Sequence, residues 1–490
     1  MITTRIGTFF QKAIIQEKLN NWLGLFFVII IAGTFGYVMS EDMIAGLIVF
    51  VVFVGIGYFI ICVSSSMLTL YILMCFAFFV EFFLRLFLGG KFLTGVLWDA
   101  LIGLAFVGMF LGRNEIKQNF RELSRSPIAI IYFFFLLYTP IQILNPNSES
   151  LEENLLALRK FIGYLVILYF LYSTLDSYDK IRKYIVFLFI TSGLCAFYGC
   201  FQQWHGLFKF ELDLIMADPF AFGLTFVNGD FRKYSTLSDS SIFGILMSVC
   251  AVFFIIIAIN IKKTSTKLIL SVGCILMILG MAYSATRTAY AALIAGVLFY
   301  CLLTIEKKKT QLFGFIAVSF LAFLIWAPFY GGRTLYRFRT TFEAKNDESY
   351  KVRATAWNFI QPYIQRHPIG GGLGTSGNAG YREHPGHPLA GFQPDSSYVK
   401  KAAETGWVGL ALTVAFYYVT LAVGIRNFFS VHDEEIKAIY AACICSLFTF
   451  YVAEFAQQAI GGITDSVIYY PILVIILKLK KFDSGIESKL

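Results

Sequence analysis

The sequence predicts an all-α protein, a polytopic bundle of transmembrane helices with one large polar insertion between late helices. Three observations carry this. Hydrophobic residues make up 58% of the 490 and charged residues 14%, whereas soluble domains run at about 45–50% and about 25%. Mean hydropathy is +0.70. Apolar runs close to the ~20 residues that cross a bilayer recur along the chain, with one long polar interruption from Gly331 to Ser397. The 53 Phe and 27 Tyr suit acyl-chain packing and headgroup-level rings.

Residues 1–21 are polar and mixed in charge, and the first apolar run, 22–39, lacks a small-residue cleavage site. It is therefore expected to stay as an anchor. Further spans fall at 43–63, 66–87, 92–112, 127–144, 159–175, 183–204, 238–260, 267–283, 288–305, 311–330, 397–425, 436–456 and 464–480, about fourteen crossings in all. Glu81 and Arg85 interrupt the third, and the sixth is short and follows Arg159-Lys160. The chain thus divides into spans and short loops (1–330), the large insertion (331–396), and the last spans with a tail (397–490).

Cytoplasmic loops hold the Lys and Arg excess, and here every second loop is basic. Arg113, Lys117, Arg121 and Arg125 are followed by Lys180, Arg182 and Lys183, by Lys262, Lys263 and Lys267, by Lys307, Lys308 and Lys309, and by Lys478, Lys480 and Lys481. The intervening Ser40-Glu41-Asp42 is acidic, and 145–154 holds Glu149, Glu152 and Glu153 with no basic residue. Both termini are expected in the cytoplasm, with 202–237, 284–288, 331–396 and 457–464 outside. The +9 net charge is an orientation signal and calls for no nucleic-acid partner. All nine cysteines lie in apolar runs, which indicates small core residues rather than a disulfide framework or a zinc site.

Arg232, Arg287 and Arg353 lie in three outer segments near helix ends. Arginine near hydrocarbon is costly, about 2.5–3.5 kcal/mol at a helix centre, and its charged planar fork fits phosphate oxygens. A single interfacial arginine snorkels to headgroups. A group of them on the face that should be depleted of positive charge points to a phosphate-bearing lipid. Helices running inward turn their partly positive amino ends to the same face. Ser238-Asp239-Ser240-Ser241, Asp395-Ser396-Ser397 and Thr464-Asp465-Ser466 read as N-caps there. Asp395 stands apart, because it follows a glycine-rich run and precedes Tyr398 and Glu404-Thr405-Gly406-Trp407-Val408-Gly409.

The run Gly370 to Gly377 contains a G-x-G-x-x-G match, but it follows an amphipathic segment, Arg353 to Arg366, instead of a strand, which excludes a dinucleotide fold. Its glycines, Gly372 and Gly374 among them, are expected to turn tightly or approach a ligand. His384-Pro385-Gly386-His387 has no third ligand spaced to complete a metal site. Either imidazole remains an alternative base.

On these residues the chain resembles the O-antigen ligase/polymerase family, the Wzy and WaaL type of bacterial membrane glycosyltransferases. The likeness rests on Arg353-Ala354-Thr355-Ala356-Trp357, His367-Pro368-Ile369-Gly370, Asp395-Ser396-Ser397-Tyr398-Val399 and Glu404 through Gly409, with Arg287 in Ser284-Ala285-Thr286-Arg287-Thr288 and Arg232 upstream. Ligases of the family place a His-Asn pair where this chain has Asp395-Ser396, which favours a polymerase or a polysaccharide-specific relative over a lipid A-core ligase. The resemblance implies a GT-C-like, inverting enzyme of the bacterial inner membrane that needs neither metal nor nucleotide sugar. Its donor would be an undecaprenyl-pyrophosphate-linked glycan, its acceptor a second glycan, and a chain-length regulator or flippase a candidate partner. Arg232, Arg287 and Arg353 would hold the pyrophosphate, with Asp395 as base and Glu404 as second candidate. Trp357 and Tyr398 would stack on sugars, and Gly372, Gly374, His384 and His387 would line the substrate. A ligase, or a protein O-oligosaccharyltransferase, would share the donor. A lipid-linked oligosaccharide flippase is the rival from another class, weakened by the lack of internal repeats.

Overall fold

The computed structural model describes residues 43–89, 94–112, 116–148, 151–227, 229–326, 348–383 and 385–483, with isolated positions in 26–40 and 335–339. In chain order the helices are α1 (Met43–Ser64), α2 (Ser66–Leu88), α3 (Thr94–Gly112), α4 (Ile116–Ser124), α5 (Pro127–Ile141), α6 (Leu151–Thr174) and α7 (Tyr178–His205). Two short helices, α8 (Lys209–Ala217) and α9 (Pro219–Thr225), lead into a two-stranded hairpin, β1 (Phe226–Val227) and β2 (Asp230–Phe231). There follow α10 (Ser240–Asn260), α11 (Thr264–Tyr283), α12 (Arg287–Leu303), α13 (Lys308–Trp326), α14 (Glu348–Arg366), α15 (Gly377–Glu383), α16 (Ser397–Ser430), α17 (Glu434–Ala453) and α18 (Ile463–Lys478).

Among the described residues, nine helices are long and apolar enough to cross a membrane: α2, α3, α5, α7, α10, α11, α13, α16 and α17. Part of α1 (Val51–Ser64) and α12 are apolar but shorter. The expected span at 22–39 lies outside the continuously described residues. Helix starts follow the local chemistry, with Ser65, Ser126, Ser177, Asp239, Ser396 and Asp433 accepting first-turn N–H groups.

α10 and α17 form the centre and are enclosed over most of their length, whereas α13 is almost wholly outward-facing. α12 meets α17 at close range: a Cβ on Gly296 would stand 2.1 Å from Thr449 Oγ1. Small residues permit such backbone approach in membrane bundles, where packing drives association.

The basic loops gather at one end. Arg182 reaches Glu435 at 3.9 Å, Lys307 reaches Glu434 at 2.6 Å, and Lys481 bonds Glu122. At the other end, Arg85 holds the 235–237 loop, Asn145 holds Gly370, and Ser397 bonds Glu454.

Hydropathy windows trim some helices. α6 begins at Leu151, so 151–154 is helical where the charge pattern suggests a loop. Backbone hydrogen bonds continue past Arg159 and Lys160, where an apolar window stops. The polar insertion also holds two helices, α14 and α15, and its Ile360, Ile364 and Leu389 form a small second core with Ala402 and Ala403 of α16. Seven cysteines are buried as expected, but Cys75 is exposed and Cys301 half-buried.

Candidate functional site

The first part of the site is the turn between α11 and α12. Ala285 adopts φ 53° there, a left-handed conformation that costs a non-glycine residue roughly 1–2 kcal/mol. It is held from outside. Arg232, just past the β hairpin, donates from Nε to Ser284 O (3.1 Å) and from Nη2 to Thr286 Oγ1 (2.9 Å) and Ser241 Oγ (3.4 Å). Its Nη1 donates to Leu224 O at 3.3 Å. Thr286 Oγ1 in turn donates to Ser240 O at 3.0 Å and makes no side-chain cap for α12. α12 therefore starts without a side-chain cap, with half-buried Arg287 at its first position. Two of the three predicted arginines, 55 residues apart in sequence, thus serve one turn.

The loop behind Arg232 is anchored by Arg85, near the end of α2. Its guanidinium donates to Leu237 O and to Ser235 O (2.9 Å) and lies 4.7 Å from the ring centre of Tyr234. Burial also lowers the pKa of Lys233, whose Nζ donates to Phe231 O at 2.6 Å.

Below this turn opens a cleft of about 670 Å³ between α10, α11, α12 and α13, lined by apolar side chains such as Met281, Leu293, Val297, Phe313 and Leu321. Tyr290, one turn into α12 from Arg287, stands at its edge and donates to Ala282 O at 2.8 Å.

The second part is built on a break in α16. Gly406 takes φ 67° and ψ −166°, a region essentially reserved for glycine. The break frees carbonyls, and each is taken: Gly371 N–H donates to Ala403 O (2.8 Å), Gly372 N–H to Glu404 O (2.9 Å) and Tyr138 Oη to Thr405 O (2.6 Å). The N–H of Trp407 donates to Pro368 O at 2.8 Å. The glycine run thus docks on the broken helix, and Asn145 and Asn147 from the end of α5 donate to Gly370 O at 3.1 and 3.0 Å. Non-helical backbone near a membrane is tolerated only when satisfied in this manner. Ser376 Oγ donates to the buried carboxylate of Glu404.

The third part is the corner before α16. Ser396, not Asp395, caps that helix, and Asp395 is exposed. The corner is pinned to Glu454, at the end of α17: Ser397 N–H donates to Glu454 O at 3.0 Å. The Glu454 carboxylate is buried and accepts from Ala459 N, Ile460 N and Tyr417 Oη at 2.6, 2.8 and 3.0 Å. Burial pushes its pKa up, against the lowering effect of those bonds. The Gly296–Thr449 contact fixes the relation to the turn, since Arg287 and Glu454 both lie outward of it, by about 13 Å and about 8 Å of helix rise.

Residues 272–414 match the family model Wzy_C, described as O-antigen ligase. The resemblance to the O-antigen ligase/polymerase family is thereby borne out. No curated protein matches the chain. The O-antigen ligase match runs from within α11 to within α16, so it takes in the Ser284–Arg287 turn, α14, the glycine dock and the Asp395 corner, and leaves out Arg232 and Glu454. The family implies an enzyme acting on a lipid-linked glycan at a membrane.

Within this O-antigen ligase frame the remaining predicted residues fall as follows. Arg353 lies on α14, of which the backbone is described at that point. Trp357 packs edge-on against Phe455 at 5.6 Å, next to Glu454. Tyr398 donates to Tyr451 O at 3.0 Å. Gly372 and Gly374 have φ 102° and 73°, and the N–H of Gly372 is taken by Glu404 O, so the tight-turn reading accounts for them. His387 is buried; its Nδ1 accepts from Leu389 N (3.1 Å) and its Nε2 lies 3.2 Å from Asn147 O. His384 lies outside the described residues. Arg85, Tyr138, Asn145, Asn147 and Glu454 do not stand out in the sequence as site residues. Only Arg85 gives a signal there, as a charge inside an apolar run.

Proposed function

We propose that the protein is a polymerase of undecaprenyl-diphosphate-linked oligosaccharide repeat units, working by inverting glycosyl transfer on the extracytoplasmic face. The observation that supports this best is the meeting of Arg232 with the turn that begins α12, at the mouth of an apolar cleft. A lipid diphosphate has the matching form, with a long hydrocarbon tail and a doubly charged head. The partly positive amino end of α12 and Arg287 would face the head, and the cleft would take the first isoprene units. Arg232, with most of its donors spent on the turn, acts as its brace and adds charge. Arg353, on α14, would be the third arginine of the group.

In the reaction, a hydroxyl oxygen of the acceptor sugar attacks the anomeric carbon of the donor glycan. The new C–O bond forms as the bond from that carbon to the diphosphate oxygen breaks, and configuration inverts. Asp395 accepts the hydroxyl proton, and the arginines and helix end stabilise the charge that develops on the departing lipid diphosphate. A carboxylate at position 395 favours the polymerase over a ligase or a protein O-oligosaccharyltransferase, which would use the same donor.

The test is reconstitution with a defined lipid-linked repeat unit. Arg287→Ala and Asp395→Asn should each reduce chain extension by about 10²-fold or more, with Arg287→Lys restoring little. Undiminished extension in either variant refutes the role of the residue replaced. In cells, loss of a polymerase leaves single repeat units on lipid, whereas loss of a ligase leaves long lipid-linked chains.

A further inference from the structure

The link between α17 and α18 is held more tightly than a connecting loop requires. Two buried carboxylates take four successive main-chain amides in it. Glu454 accepts from Ala459 N and Ile460 N at 2.6 and 2.8 Å, and Asp465, in the first turn of α18, accepts from Gly461 N and Gly462 N, each at 2.8 Å. Tyr164, on α6, donates to Gly461 O. A carboxylate is costly to bury, and charge-assisted bonds from N–H donors offset that cost. Connecting segments are ordinarily the mobile parts of a fold, and these two side chains fix the course of this one.

The fixed link grips the Asp395 corner from both sides. Gln458 donates from Nε2 to Pro394 O at 3.1 Å, and its Oε1 accepts from Lys400 Nζ at 3.1 Å, so both ends of its amide are set. On the other side, Glu454 O accepts from Ser397 N at 3.0 Å and from Ser396 Oγ at 3.4 Å. Exposed Asp395 is the residue between these holds.

A general base works only within hydrogen-bond reach of the proton it takes, and a misplacement of about 1 Å can cost about 10²-fold in rate. Resting on the reading of Asp395 as the base, we propose that Glu454 and Gln458 are its positioning residues. Glu454 shapes the link through the 459 and 460 amides, and Gln458 and the Glu454 carbonyl carry that shape to the 394–397 corner, so that the Asp395 carboxylate meets the acceptor hydroxyl. The link lies beyond residues 272–414, the stretch that matches the O-antigen ligase model.

The experiment uses the full chain in nanodiscs with a defined lipid-linked repeat unit, and measures kcat and KM for chain extension separately. Gln458 is exposed, so Gln458→Ala should keep the wild-type melting temperature and KM while kcat falls about fivefold, the value of one neutral hydrogen bond. Glu454→Ala should lower kcat by about 10²-fold, and Glu454→Gln, which keeps an oxygen for the two amides, should restore most of that loss. The deciding measurement repeats Gln458→Ala and Glu454→Ala in an Asp395→Asn background. There each should cost nothing further, because its effect passes through the carboxylate already removed. Losses that multiply with that of Asp395→Asn, losses carried by KM, or an unaltered kcat in Gln458→Ala overturn the proposal and leave Asp395 as base. Undiminished extension by Asp395→Asn itself removes the base, and the positioning role with it. If Glu454→Ala does not fold, Gln458→Ala and its double variant decide.

Discussion

Replacing Gly406 by Ala tests whether the broken helix holds the site together. A Cβ there would lie 2.0 Å from Pro368 O, 2.5 Å from Ile369 C and 2.6 Å from Gly370 N. All three are backbone atoms, so no side chain can swing aside to relieve the overlap. The residue also occupies φ 67° and ψ −166°, which costs about 1–3 kcal/mol for any side chain. Relief requires the glycine run to lift off α16. That breaks the bonds from Gly371, Gly372 and Trp407 across the joint and disturbs the one from Tyr138. At about 1 kcal/mol net for each of the four, the docked state loses about 4 kcal/mol, or about a thousandfold in its local opening equilibrium. Hydrogen exchange followed by mass spectrometry should show this as faster exchange in peptides covering 368–375 and 403–409, with α10 and α17 unchanged. Chain extension should fall with it. If Gly406→Ala exchanges like wild type in those peptides and extends normally, the joint does not organise the site.

Arg85→Leu should leave the bundle assembled but release the 235–237 loop, raising the KM for the lipid-linked donor by about tenfold or more. Arg85→Lys should rescue this poorly, because one ammonium cannot span two carbonyls as a guanidinium fork does. Asn145→Ala removes one donor from each of Gly370 O and Ile369 O, which keep Asn147 and Gln142, and should destabilise the dock by about 0.5–1.5 kcal/mol, read as a smaller version of the Gly406 exchange pattern. Glu454 has a raised folded-state pKa, so above the ordinary value of 4.5 the native protein keeps a proton that the unfolded chain has shed. Its contribution to stability is full below that value and is lost as pH rises to the raised pKa. Apparent melting temperature measured against pH should decline less steeply in Glu454→Gln than in wild type.

The helices are legible in the sequence because apolar runs and capping residues are local signals. Ser396 and Asp239 stand where N-caps are expected, and Thr405-Gly406 falls within a motif. The partners of those residues are not legible. Nothing near Gly406 in sequence says that Pro368 and Gly372 will close on it, and nothing near Asn145 points to Gly370, 225 positions away. Glu454 is hidden for the same reason, because a carboxylate at a helix end reads as solvated until Tyr417 and the 459–460 amides are seen to surround it. Arg85 can be read as a charge in an apolar run but not as a brace, since its acceptors are main-chain oxygens that any residue supplies.

α13 closes one flank of the apolar cleft while burying little of itself against its neighbours. A wall with so few ties yields sideways before the enclosed walls of α10 do. A molecule with a bulky sugar head outside and a tail of many carbons inside need not thread itself lengthwise through such a structure. On the proposed function it would slip in from the surrounding lipid edge-on and depart the same way, so turnover of the tail would be paced by lateral diffusion and by how often that one helix leans away.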